Sequence, residues 1–231
     1  MSKYTIGIDL GGTTMTAGLV DESYKIVGKV TWATRLPRPA EDLEKAMADL
    51  CRTVAKENKV DFADVKYVGI GTPGSVNFTT GFVGFNTNFG YYDWNLGPDL
   101  EALLGCKVYV ENDANAAAYG EYIAGGAKGY KDAVVITLGT GIGTALIFNG
   151  ELIPNTELGH LELLKGKGDA EKYAASSIRE KLDMGYKKWA KRLTKYYSLM
   201  EFYLDPQLFV VGGGVSRVSE KFLHIFGFCT A

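Results

Sequence analysis

The chain has 231 residues, 46% of them hydrophobic and 12% aromatic, enough for one large domain or two small ones with buried cores. Its 25 Lys and Arg against 27 Asp and Glu leave a net charge of −2, which removes any global electrostatic reason to expect nucleic-acid binding. No segment is long and apolar enough to span a membrane, and the three cysteines, Cys51, Cys106 and Cys229, fit neither a disulfide framework nor a CxxC metal site. A strand starts at Tyr4, leaving no room for a signal peptide, so a cytoplasmic setting is expected.

Along the chain, β-branched and aromatic runs predict strands at Lys3 to Leu10, Ala17 to Val20, Ile26 to Thr34, Tyr67 to Gly71, Lys107 to Val110, Ala133 to Leu138, Thr144 to Phe148 and Gln207 to Val211. Leu43, Met47, Leu50, Cys51 and Val54 recur at helical spacing within Ala40 to Glu57. Further helices are expected at Asp99 to Leu104, Asp113 to Ala124, Asp169 to Lys181 and Tyr186 to Tyr203, which makes the order an α/β one. Thr72-Pro73-Gly74-Ser75 is a turn directly after a strand, a common place for a binding loop.

Glycine-rich turns follow three of the strands: Asp9-Leu10-Gly11-Gly12-Thr13-Thr14, Leu138-Gly139-Thr140-Gly141-Ile142-Gly143 and Val211-Gly212-Gly213-Gly214-Val215-Ser216. Glycine lets the backbone approach an anion and aim several N–H groups at it, and the threonines add hydroxyl donors. The residues after the first two turns alternate like strands, whereas GxxxxGK[ST] and GxGxxG loops open helices, so neither of those nucleotide folds is indicated. Ile8 to Asp21 and Ile136 to Asn149 both read strand, Gly/Thr turn, strand, which looks like an internal duplication. Phosphoryl transfer is the leading expectation.

Between these turns, Glu111-Asn112-Asp113-Ala114-Asn115 lies where a strand gives way to an alanine-rich helix. Asp113 there is equally suited to cap the helix or to accept a proton from a bound hydroxyl. Glu157-Leu158-Gly159-His160 offers a second polar pair, read either as a ligand contact or as a surface acid beside a structurally bonded histidine. Lys187, Lys188, Lys191, Arg192 and Lys195 form a basic run, read as a solvated helix face or as a track for a long polyanion.

Together Asp9 to Thr14, ENDANAAA from Glu111, LGTGIG from Leu138, ELGH from Glu157 and GGGVS from Gly212 resemble the ROK sugar kinases over nearly the whole chain. The runs from Asn155 to Leu163, Gly168 to Ala174 and Leu208 to Arg217 look most like the polyphosphate glucokinase branch. The resemblance implies a two-domain actin-like ATPase (ribonuclease H-like) fold, with domains at 1–112 and 113–231. It implies Asp113 as the catalytic base that takes the proton of the glucose 6-hydroxyl. Asn88, Asn112, Glu157, His160 and Glu171 match residues that hold the sugar. Asp9 matches the acid near the metal and phosphates. Gly11, Gly12, Thr13, Gly139, Thr140 and Gly141 match the phosphate turns, with Gly213 and Gly214 beside the nucleoside. Mg²⁺ is implied as cofactor, polyphosphate, ATP or both as donor, glucose or a related hexose such as mannose as acceptor, and a homodimer as the assembly.

Three positions depart from the family pattern. Leu161 to Ala170 lacks the cysteines of the family's zinc motif, so no zinc site is expected. Thr16 stands where the first phosphate turn usually carries a basic residue, and the chain stops at Ala231, short of the family's usual terminal helix. Two other outcomes compatible with the resemblance are a glucokinase using ATP alone and a catalytically impaired, sugar-binding regulator. The family's DNA-binding repressors carry a helix-turn-helix ahead of the first phosphate strand, where this sequence begins its strand at Tyr4.

Overall fold

The computed structural model describes residues 3–86, 89–154, 156–163 and 168–226, which divide into two compact units, Met1–Ala117 and Ala118–Ala231. In the first, β1 (Tyr4–Leu10) turns Ile6, Ile8 and Leu10 inward and leaves Asp9 exposed, as strict alternation requires. β2 (Thr14–Asp21) folds back antiparallel on β1, and β3 (Ile26–Ala33) pairs antiparallel with β2. α1 (Ala40–Glu57) then covers the sheet with Leu43, Met47, Leu50, Cys51 and Val54, all fully buried. Each such side chain contributes about 1.5–3 kcal/mol of transfer free energy. Burial pushes the Cys51 thiol up to about 12, so it is an inert core group.

β4 (Val65–Thr72) runs parallel to β1, and after β5 (Ser75–Asn77), β6 (Phe82–Asn86), β7 (Tyr91–Trp94) and α2 (Leu96–Leu104), β8 (Lys107–Asn112) runs parallel to β4. The five-stranded order is β3-β2-β1-β4-β8, while β5, β6 and β7 form their own antiparallel sheet. α2 ends on Gly105 at φ 72°, the left-handed conformation that glycine adopts freely, with the Gly105 N–H donating to the Glu101 carbonyl. α3 (Asp113–Ala124) contains the boundary between the units.

The second unit repeats the first unit's pairing scheme. β9 (Ala133–Leu138) pairs antiparallel with β10 (Ile142–Phe148), β10 antiparallel with β11 (Glu151–Ile153), and β12 (Leu208–Gly212) parallel with β9. The resulting order, β11-β10-β9-β12, matches β3-β2-β1-β4 strand for strand, the topological counterpart of the duplicated turns. α4 (Ala170–Ala174), α5 (Ser176–Lys181) and α6 (Tyr186–Leu204) cover it. Trp189, Leu193, Tyr196 and Met200 of α6 are buried with Val134, Ile136, Leu138 and Phe222, and the Trp189 Nε1 donates to the Ala174 carbonyl over 2.8 Å.

The eight expected strands and four of the five expected helices form with ends shifted by up to three residues. The helix expected over Asp169 to Lys181 is instead two, because Ala175 is extended at φ −58° and ψ 155°. β5, β6, β7 and β11 are short additions to the expected set. No helix among the described residues is long and apolar enough to cross a membrane.

Candidate active site

In the first unit the parallel strands β1, β4 and β8 end side by side, with Asp9 opposite Gly71 and Gly71 opposite Glu111. Ligands of open α/β sheets gather at such carboxyl ends. The turn leaving β1 is braced from β3: Thr34 Oγ1 donates to the Gly11 carbonyl over 2.6 Å, and the Thr34 N–H to the Thr13 carbonyl over 2.9 Å. Thr34 is fully buried, so these bonds hold Gly11-Gly12-Thr13 from behind and leave its outer face free, with Gly12 and Thr13 exposed. Thr16 is within 3.0 Å of Thr31 across β2 and β3, a hydroxyl pair at the place of the family's basic residue.

The capping question at the start of α3 has a definite answer. Asn112 Oδ1 accepts from the N–H groups of Ala114 and Asn115 at 3.0 and 3.3 Å, so Asn112 is the side chain that caps the helix. Asp113 accepts from the N–H of its neighbour Ala114, over 2.9 Å, and from its own backbone N–H, and part of the residue is exposed to solvent. Protein packed around the Asp113 carboxyl desolvates it and raises its pKa; the nearby Asp9 carboxylate adds to the rise, and the Ala114 N–H opposes it. Glu111 is held separately, accepting from the Asn112 N–H at 2.8 Å and from Asn115 Nδ2 at 3.1 Å.

The loop Thr72-Pro73-Gly74-Ser75 is tied to this corner. Asn112 Nδ2 donates to the Gly74 carbonyl at 3.3 Å, and the buried Asn86 donates to the Pro73 carbonyl at 2.5 Å and to Thr72 Oγ1 at 3.2 Å. Gly74 has φ 110°, and a Cβ there would strike the Phe85 carbonyl, so the close approach of loop and β6 requires glycine. Asn88, expected to contact the sugar, lies outside the described residues.

In the second unit the break at Ala175 gains a purpose. It directs the first turn of α5 onto the second glycine turn, where the Ser177 N–H donates to the Gly139 carbonyl at 3.1 Å and Ser177 Oγ to the Thr140 carbonyl at 2.5 Å. Glu171 lies over the same turn: its carboxylate accepts from the Ile142 N–H at 3.0 Å, and a side chain at Gly141 would collide with it. Gly213, at φ 84°, packs so tightly on Leu138 that a Cβ would overlap the Leu138 carbonyl. A cavity of about 370 Å³ opens beside Gly139 and Thr140, walled by Ser177, Arg179, Glu180 and Tyr186, with Gly214 also on its lining.

Glu157 to His160 is fastened to β10. Thr144 Oγ1 donates to the Thr156 carbonyl at 2.8 Å and accepts from the Leu158 N–H at 3.0 Å, while Gly159 packs on the Ile142 carbonyl. His160 Nδ1 is 3.2 Å from Asp169 Oδ2, and the carboxylate also receives the Lys172 N–H at 2.9 Å and Lys172 Nζ at 3.1 Å. Led by the Lys172 backbone bond, these partners hold the Asp169 pKa down to about 2. Asp169 therefore orients His160, a role that the Asp-x-x-Lys cap pattern at 169–172 could have suggested. Ser177, Arg179, Glu180 and Tyr186 had no distinguishing motif.

The structure thus assembles Asp9, Gly11, Gly12, Thr13, Asn112 and Asp113 at one set of strand ends. It gathers Gly139, Thr140, Gly141, Glu171, Gly213 and Gly214 around the second turn. Lys187, Lys188 and Lys191 are exposed on one side of α6 and have no carboxylate partner among the described residues, whereas Arg192 packs on the Tyr173 ring, 4.6 Å from its centroid.

Residues 5–172 match the model of the ROK family. The polyphosphate glucokinase of Mycobacterium tuberculosis is 38% identical over 227 residues, covering 96% of this chain and 82% of that protein. The crystal structure of an inorganic polyphosphate/ATP-glucomannokinase from Arthrobacter superposes with a TM-score of 0.86 at 36% identity, covering 99% of this chain and 90% of the other. A ROK family glucokinase from Streptomyces griseus, solved with glucose and AMPPNP, gives a TM-score of 0.81 at 28% identity over 96% of this chain and 88% of its own. The fold is the actin-like ATPase fold of the ROK sugar kinases. On its motifs, its paired sheets and these likenesses, the chain belongs to the ROK family.

Proposed function

We propose that the protein is a polyphosphate- and ATP-dependent glucokinase, transferring a terminal phosphoryl group to the 6-hydroxyl of glucose. The carrying observation is the division of labour between neighbours: Asn112 caps α3, which leaves the Asp113 carboxylate outside the cap, desolvated by the protein packed around it and close to Asp9. A base must hold its proton long enough to matter, and a raised carboxylate pKa brings it closer to working pH. In the proposed reaction Asp113 accepts the proton of the 6-hydroxyl as that oxygen attacks the terminal phosphorus. The bond from phosphorus to the leaving phosphate oxygen breaks, and glucose 6-phosphate and the shortened donor remain.

Asn112, Glu157, His160 and Glu171 are the proposed sugar contacts, joined by Asn88. Amides and carboxylates suit this work because each buried sugar hydroxyl needs a partner. The glycine turns present backbone N–H groups to the donor phosphates. Mg²⁺ is bound in kinases by one or two carboxylates together with substrate phosphates, and the exposed Asp9 beside Asp113 fits that donor set. Bound there, the ion would neutralise charge on the donor phosphates. The Arthrobacter relative's name joins glucose with mannose, and mannose is proposed as a second acceptor. A homodimer is proposed as the assembly, to be read by sedimentation.

The test is glucose 6-phosphate formation with Mg²⁺, run in parallel with long-chain polyphosphate and with ATP as sole donor. Product with both supports the reading as stated, product with ATP alone reduces it to an ordinary glucokinase, and product with neither overturns it.

A further inference from the structure

The cavity beside the second phosphate turn carries two opposite charges on its wall, from consecutive residues of α5. Arg179 Nη2 donates to Glu180 Oε1 over 3.2 Å. The arginine is fixed: its guanidinium lies 4.6 Å from the Tyr186 ring centroid and 5.9 Å from that of Trp189, and its side chain is only 19% exposed. Its Nε is sealed from solvent with no hydrogen-bond partner among the described residues. Glu180 is the exposed partner, its side chain 66% accessible. Among the described residues lining the cavity, Glu180 is the one acid and Arg179 the one base, above a floor of Leu138, Val215 and Val218.

A donor whose phosphates rest on Gly139 and Thr140 must lay the rest of itself along this wall. For a nucleoside triphosphate the fit is good. The ribose hydroxyls are donors that a carboxylate can accept, and the base covers the apolar floor against the planar guanidinium. A polyphosphate chain offers no such donor at neutral pH; each unit brings another negative charge toward Glu180, whose carboxylate also cancels part of the attraction of Arg179. We propose that Glu180 is a donor-specificity residue, favouring nucleoside triphosphate over polyphosphate in a site that both share. This rests on reading the cavity as the donor site.

The experiment compares the unchanged protein with Glu180→Gln by calorimetric titration of Mg-ATP, of linear polyphosphate of defined length, and of glucose as a check on folding. The variant should bind ATP about tenfold more weakly, the loss expected for a charged hydrogen-bond acceptor. It should bind polyphosphate about fivefold more tightly, the effect of removing one unit charge at contact distance in water. Glucose binding should be unchanged, and KM values for the two donors should move in the same opposed directions. Equal shifts for both donors, or none, would overturn the assignment. If the unchanged protein binds donors yet makes no glucose 6-phosphate, the kinase reading fails while the titrations still decide Glu180. If it binds neither donor, the cavity is not a donor site and the proposal falls with it.

Discussion

The Trp94 indole Nε1 donates to the Glu44 carboxylate over 2.6 Å, and both side chains are buried, so one bond ties the end of β7 to the second turn of α1. Desolvation raises the Glu44 pKa, the Trp94 bond opposes the rise, and Asp99 adds to it. A carboxyl whose pKa is raised on folding lends its full share of stability below the unfolded value and loses it as pH rises through the folded value. Glu44→Gln keeps an acceptor for Trp94 and removes the buried charge. Its stability relative to the parent should therefore increase as pH rises from below the ordinary carboxylate range through the raised Glu44 pKa, measured by urea unfolding. Glu44→Ala leaves the indole N–H unpaired and should cost about 1–3 kcal/mol. A Gln variant whose stability tracks the parent at every pH would refute the titration.

Asp113→Asn should retain glucose binding and lower kcat by about 10² to 10⁴, the usual cost of losing a general base. The base must be ionised to work, so activity falls as pH drops through its raised pKa, and the acid limb of the rate profile should lie above the ordinary carboxylate range. Asp9→Asn removes a like charge and should shift that limb to lower pH wherever residual turnover permits the measurement. Near-normal turnover in Asp113→Asn would remove the residue from this role.

Neutralising Lys187, Lys188 and Lys191 together to Gln should raise the KM for long polyphosphate severalfold and leave that for ATP nearly unchanged. The three ammonium groups are exposed, without carboxylate partners among the described residues, and available to a long anion. The polyphosphate effect should shrink at high salt as the charges are screened. If both donors change alike, the helix face is only solvated.

Gly213→Ala forces a side chain into a φ of 84° and against the Leu138 carbonyl. Backbone strain of this kind costs about 1–3 kcal/mol, and relief requires the turn to move off β9. Lower unfolding stability and a raised KM for both donors are expected, since the turn and β9 together frame the cavity. Unaltered kinetics in a destabilised variant would confine the glycine to a structural role.

The fold was readable where alternation or helical spacing was long. Ile6, Ile8 and Leu10 on β1 and Leu43 to Val54 on α1 occupy the faces that their spacing predicts. β5, β6 and β7 were missed because each is only three to five residues long and is specified by pairing with its neighbours. The break at Ala175 was invisible for a related reason. Alanine and serine permit a helix there, and only the bonds from Ser177 to Gly139 and Thr140, which are distant in sequence, show what the interruption accomplishes. At the site, the glycines and Asp113 stood out through motifs. That Asn112 takes the cap depends on one side-chain rotation, which leaves no pattern in the sequence, whereas the Asp169 cap is marked by its spacing to Lys172 and only its reach to His160 depends on the bend between them.

The clasp of Ser177 on the second glycine turn bears on how that turn keeps its shape. The loop is held by two bonds from α5 and a third to Glu171, all made within the protein itself. If the donor phosphates bind there as proposed, they meet a loop already braced and spend little binding energy on arranging it. The same short helix carries Arg179 and Glu180, so the proposed phosphate grip and the proposed reader of the rest of the donor are joined through one element. Preference between donors can then drift through side chains on the wall while the grip beneath stays as it was.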